Sequence, residues 1–266
     1  MHEVARSLGI AQALGNTREG KLALWQVLAR VLDQGSRLSA VRLAGIHAAC
    51  DVLGLDSFDE DDLYANLDWL TTQQAEIEQK LFQARPPACA PGLFLYDVTS
   101  SYLEGEDNAF GAFGYNRDGK RGKRQIVIGL LCDSQGQPLS IEVFPGNTQD
   151  LKTFSAQIDK VAQRFGGGAI TFVGDRGMIK TPQITALGEK QFHYITAITK
   201  PQIEALLTQG TFQMTLFDEP LAEITSPQGE RYILRRNPLR AREIAAARED
   251  KPSSCINFCG WPQKMA

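Results

Sequence analysis

Apolar positions in the first third of the chain recur at helical spacing. Leu22, Trp25, Leu28 and Leu32 fall on one face of a helix, and Gly35 follows as a stop signal. Leu43, Ile46, Ala49 and Leu53 predict a second helix that ends at Gly54. A third starts near Ser57, where Asp59, Glu60, Asp61 and Asp62 sit at the positive end of its dipole. Leu63, Leu67, Leu70, Ile77 and Leu81 form its inner face, and Pro86 and Pro87 end it in a stiff linker.

After Pro91 the pattern changes to short apolar runs. LFLYD (Leu93 to Asp97) reads as a strand, and QIVIGLLCD (Gln125 to Asp133) as a strand buried on both faces. DSQGQ is a turn, so LSIEVFPG (Leu139 to Gly146) pairs back as a hairpin. Gln149 to Phe165 is a helix capped by Asn147 or Thr148, and Gly166 to Gly168 stop it. ITFVGD (Ile170 to Asp175), a short helix over Thr181 to Lys190 and the strand HYITAIT (His193 to Thr199) follow, with His193 as a packing residue. Strands that alternate with helices after a hairpin imply a mixed α/β sheet. TFQMTLF, PLAEIT and ERYILRR read as a meander of short strands, and Leu239 to Asp250 as a charged helix. The last fifteen residues carry two of the five cysteines and no periodicity. A frameshifted or fused end is one cause that would produce such a tail.

The composition is that of an ordinary globular protein, with 43% hydrophobic and 22% charged residues. No run of about 18 apolar residues predicts a membrane span, and no apolar signal core opens the chain. The expected location is the cytoplasm. A net charge of −3 places any case for nucleic acid on local charge. No G-x-x-x-x-G-K-[ST] loop or G-x-G-x-x-G fingerprint points to ATP or NAD. Cys255 and Cys259 lack the second pair that a zinc site needs.

Asp97 and Asp175 carry the candidate chemistry. Each ends an apolar run, so a buried strand would hold each carboxylate at one edge of a sheet. The plain alternative for either one is a turn or cap residue, which is how Asp133 reads. Thr99, Ser100 and Ser101 follow Asp97 closely. Asp175 sits in GDRGM, where glycines allow close approach and Arg176 could meet a phosphate. The run Arg117 to Arg124 holds Arg117, Lys120, Arg121, Lys123 and Arg124 behind three aromatics, Phe110, Phe113 and Tyr115. It reads either as a solvated loop or as a loop that grips phosphates and stacks on bases.

LYDVTSSYLEG, FGYNRDGKRGKRQIVIGLL, PLSIEVFPGNTQDLKTF and FVGDRGMI, in this order, resemble the DDE transposases of bacterial insertion sequences. The resemblance spans about residues 35 to 251. It implies a ribonuclease H-like mixed sheet with a β-rich insertion at about 205–236, preceded by a helical DNA-binding or assembly region over residues 1–87. The core would cover residues 91–251, and residues 252–266 would be an irregular tail. Asp97 and Asp175 match the first two acids of the catalytic triad. With a downstream glutamate they would bind Mg²⁺ or Mn²⁺ for strand cleavage and transfer. Double-stranded DNA, as terminal repeats and target, is the implied partner, at the bacterial nucleoid, with a homodimer allowed. The family's Tyr-x2-Arg-x3-Glu-x6-Lys helix is missing here. Glu230, Glu243 and Glu249 are the downstream acids that could serve as the third ligand. The implied protein is a truncated, catalytically impaired transposase, or else a non-catalytic DNA-binding remnant that inhibits the intact enzyme.

Overall fold

The computed structural model describes residues 1–85, 92–115, 122–165, 169–217, 219–227, 229–235 and 237–249. Pro86, Pro87, Gly166 to Gly168, the basic residues Arg117, Lys120 and Arg121, and the tail with Cys255 and Cys259 lie outside these ranges.

The N-terminal helices are α1 (His2–Ser7), α2 (Ile10–Leu14), α3 (Arg18–Leu32), α4 (Arg37–Ile46), α5 (Ala49–Leu53) and α6 (Glu60–Gln83). Thr17 caps α3 by accepting from the Gly20 N–H at 3.2 Å. The helix buries Leu22, Trp25 and Leu28 as its periodicity requires, while Leu32 at its end is exposed. The single helix expected to end at Gly54 is broken. Ala48 adopts a left-handed φ of 48°, which turns Ala49 and Leu53 into the core and leaves Ile46 outside. Asp59 and Asp62 close a capping box at the start of α6.

The C-terminal half of α6 fastens this helical region to a sheet. The strands are β1 (Leu93–Leu103), β2 (Arg124–Asp133), β3 (Pro138–Pro145), β4 (Thr171–Val173) and β5 (His193–Ile195). Their order is β3-β2-β1-β4-β5. The first three run antiparallel, and β4 pairs parallel with β1 and with β5. This is the ribonuclease H-like arrangement. Glu78 of α6 is buried and accepts from Ser140 Oγ at 2.9 Å, the Ile141 N–H at 3.3 Å and Arg164 at 3.3 Å. Gln74 donates to Glu78 at 2.8 Å and to the Ile141 carbonyl at 2.7 Å.

Between β3 and β4 run α7 (Asp150–Lys160) and a π-helical turn, Val161–Phe165. Between β4 and β5 runs α8 (Thr181–Glu189). Phe154, Ile158 and Phe165 pack with Leu187 of α8 under the sheet residues Phe94, Tyr96, Val98, Val127, Leu131 and Phe172. Neither Asn147 nor Thr148 caps α7. Gln149 holds the cap position without a side-chain bond, and the Thr148 N–H donates to Pro145 O in the preceding turn. β1 runs past Asp97 to Leu103, because its polar continuation pairs with the start of β2. His193 is exposed rather than packed, on the outermost strand. Asp133 behaves as a turn residue. It accepts from the Gln135 and Gln137 N–H groups, each at 2.9 Å, and pairs with Arg85.

By its internal contacts the chain forms one compact unit over Met1–Ala197 and another over Ile198–Ala266. The second unit opens with α9 (Lys200–Thr208), where a strand meander was expected to begin. Thr199 and Gln202 form its capping box. TFQMTLF is no strand. Phe212 is buried edge-on to Tyr232 at 5.3 Å, and Met214–Phe217 is a 3-10 turn. PLAEIT and ERYILRR do form a hairpin, β6 (Leu221–Thr225) with β7 (Arg231–Arg235), followed by α10 (Pro238–Glu249).

Truncating Glu78 would leave Ile141, Ser140 and Arg164 without their acceptor. Glu78→Ala should cost about 3 kcal/mol of stability. A lower urea midpoint at unchanged m would show it, with Glu78→Gln recovering part of the loss.

Candidate active site

β1 presents two different faces. Phe94, Tyr96 and Val98 point into the core, while Asp97 and Thr99 are exposed on the other side. The β1–β4 ladder pairs Leu93 with Thr171, Phe94 with Phe172 and Leu95 with Val173. Val173 is the last residue of that ladder, and Asp175 follows two residues later in the turn. Asp97 stands on the central strand β1, on the face away from the core, and Asp175 is exposed in the turn where the neighbouring β4 stops.

The turn after β4 fixes Asp175. Its carbonyl accepts from the Met178 N–H at 2.9 Å and the Ile179 N–H at 3.4 Å. Met178 and Ile179 are buried and anchor the turn from below. Gly174 sits close under this anchor, where a Cβ would approach Ile179 Cδ1 to 3.1 Å. One oxygen of each carboxylate accepts the next residue's N–H, Val98 at 2.8 Å for Asp97 and Arg176 at 2.7 Å for Asp175. Neither carboxylate takes part in an ion pair among the described residues.

Two carboxylates offer oxygen donors only, which suits a hard cation such as Mg²⁺ or Mn²⁺. Among the described residues no group of three or more His, Cys, Asp or Glu side chains gathers as a metal site. The donor set fits such an ion in kind, and Asp97 and Asp175 are the residues that would hold it. Of the three downstream glutamates, Glu230 accepts from the Tyr232 hydroxyl at 2.6 Å, and Glu243 and Glu249 lie on α10 of the second unit. Asp150, which the sequence reading left without a role, begins α7 beside the GDRGM turn. Its Oδ2 is 3.7 Å from where a Cβ on Gly177 would lie. It lines a small pocket with Val98 and Ser100, on the core side of β1.

The basic residues are divided. Arg176 is exposed beside Asp175. Lys123 pairs with Glu104 at 2.5 Å, and Arg124 donates to Glu106 O at 2.8 Å. Arg124 pairs in register with Leu103, six residues beyond Asp97. That is about 20 Å along the strand. The face that carries Asp97 also exposes Leu130 (38%), Ile141 (49%), Val143 (42%) and Ile195 (56%), an apolar surface next to the acids. No helix among the described residues is long and apolar enough to cross a membrane.

Residues 89–247, more than half of the chain, match the family described as Transposase DDE domain. The chain belongs to that family. No curated protein matches it. Among solved structures it is similar to a piggyBac transposase in a synaptic complex with hairpin DNA, at 12% identity and a TM-score of 0.42. That match covers 81% of this chain and 51% of the other, so the chain spans about half the length of that relative. A Mos1 transposase paired-end complex with the left transposon end matches at 9% identity and a TM-score of 0.30, covering 86% and 71%.

Below Asp97, burial pushes the Tyr96 phenol up to about 12, against the opposing pull of the Thr153 hydroxyl. Its hydroxyl lies over Gly129, where a Cβ would be only 2.2 Å away. The folded state keeps the proton that an unfolded tyrosine loses near pH 10. Stability should therefore be unaffected by this group below pH 10 and fall from about pH 10 to 12. Tyr96→Phe should flatten that fall in a series of denaturation curves across this range.

Proposed function

We propose that the protein is a DNA transposase that cleaves and joins DNA strands at the ends of an insertion sequence. The reading is carried by two exposed aspartates, Asp97 on β1 and Asp175 just past the end of the neighbouring β4, within a transposase DDE domain. The two carboxylates would hold Mg²⁺ or Mn²⁺. Such an ion, when bound, makes a hydroxyl a better nucleophile at neutral pH and stabilises the leaving oxygen. The chain's own contribution is position. β1 and the anchored turn after β4 fix the carboxylates on rigid backbone, so little reorganisation is needed when a phosphodiester arrives. Arg176, next to Asp175, would contact the scissile phosphate. Arg117, Lys120, Arg121, Lys123 and Arg124 would grip the backbone of double-stranded DNA further along. Such a substrate places the protein at the bacterial nucleoid, and two copies would pair the two ends.

A second reading is favoured by one observation: among the described residues no group of three or more His, Cys, Asp or Glu gathers as a metal site. The protein would then bind transposon ends but cut them poorly, as an impaired enzyme or an inhibitor of an intact one.

Labelled DNA carrying the terminal repeats, incubated with Mg²⁺ or Mn²⁺, separates the two. For the enzyme, Asp97→Ala and Asp175→Ala should each cut nicking more than about a hundredfold and leave duplex binding intact. Binding without nicking by the wild type supports the remnant. Nicking indifferent to both substitutions would refute the assignment of the site.

A further inference from the structure

The segment Phe110 to Tyr115, between β1 and β2, turns two aromatic rings to solvent. Phe113 is 64% exposed and Tyr115 is 83% exposed. Scattered exposed aromatics call for no explanation, but here the backbone beneath them is tied down. Ala112 and Gln125 exchange backbone hydrogen bonds at 3.1 and 3.0 Å. The Gly146 N–H donates to Phe110 O at 2.9 Å. The buried Gln125 amide donates to Tyr115 O at 3.1 Å and to Gly146 O at 2.9 Å. Gly114 and Gly146 meet so closely that a Cβ on Gly114 would fall 1.9 Å from Gly146 O. The backbone beneath the rings therefore needs little ordering when they bind.

Arg124 adds direction. Its guanidinium carbon lies 5.9 Å from the centroid of the Phe113 ring. It is itself held by the Glu106 carbonyl. The cation covers one side of the ring and leaves the other for a planar, electron-rich partner. Lys123, its neighbour in the chain, pairs with Glu104. A flat apolar ring beside a cation is complementary to a nucleobase on its phosphate backbone.

We propose that Phe113 and Tyr115 form a stacking platform for unpaired bases of DNA, a binding site separate from the carboxylates. The proposal rests on the DNA reading above and deepens it. A paired duplex hides its base faces in the helical stack and offers the platform only backbone. Opened DNA offers the faces themselves. Gln125, which anchors Tyr115, pairs with Tyr102, five residues along β1 from Asp97. That is about 16 Å, or about five base-pair steps. The platform lies at this offset along β1, by the core-side pocket that Tyr115 lines, and favours DNA with unpaired bases.

The test uses the full chain in EDTA, so that no cleavage step enters. The probes are a single-stranded oligonucleotide containing 2-aminopurine and a blunt duplex of the same sequence. Phe113→Ala and Tyr115→Ala should each weaken single-strand binding about tenfold and relieve the quenching of 2-aminopurine, with duplex affinity unchanged within about twofold. Tyr115→Phe, which keeps the ring, should retain both. Equal losses on both probes, or no loss on the single strand, would overturn the platform. So would variants that change only the sedimentation of the protein, since the rings would then meet another protein. Failure of the wild type to bind either probe would instead remove the DNA reading on which the platform rests.

Discussion

The site depends on a parallel ladder of three residue pairs between β1 and β4. It joins two segments far apart in sequence and has few backbone bonds to set its register. The setting comes from beneath the sheet. Phe94 lies 5.8 Å from Phe172, Phe154 meets Phe172 edge-on at 5.4 Å, and Tyr96 lies 5.9 Å from Phe154. A slip of one residue would turn Phe172 out of this aromatic group and carry Asp175 toward the core. The aromatic packing on one side therefore sets the register of β4, and with it the point where the chain leaves the sheet toward Asp175. The chemistry proposed for the two carboxylates follows from a core that contains none of it.

Much of this was legible because the apolar runs are short and end in acids. LFLYD and ITFVGD marked the two central strands and both aspartates, and DSQGQ marked the β2–β3 hairpin. Other features depend on partners that periodicity cannot show. Thr99 to Tyr102 look like loop residues until β2 pairs with them. TFQMTLF has strand-like composition, yet Phe212 gains more by packing on Tyr232 than by joining a ladder. The signals for α9 were present in Thr199, Pro201 and Gln202 but lay in front of a misleading run. Lys123 and Arg124 showed their charge in the sequence and not their distance from Asp97, which the length of β1 and β2 sets.

α6 gives the helical region a mechanical tie to the sheet. Its first half packs among the N-terminal helices, with Leu63 buried there, and its second half brings Glu78 to β3 and to Arg164 in the π-helical turn. Lys160 extends the same polar group through Ser140 and Glu142, at 2.9 Å to each. Buried charges of this kind are costly unless every partner is in place. The group therefore fixes one relative position of helix and strand, and a ligand held by the helical region would be held at a set place relative to β1.

The bonds from Gln74 and Glu78 to the backbone of Ile141 have another effect. Ile141 lies on β3, an outer strand of the sheet, and its amide and carbonyl would otherwise invite a strand from a neighbouring molecule. The helix occupies that invitation. The opposite border, β5, is only three residues long and offers little to build upon. Both borders of this sheet are thus poorly suited to strand addition by a neighbouring copy.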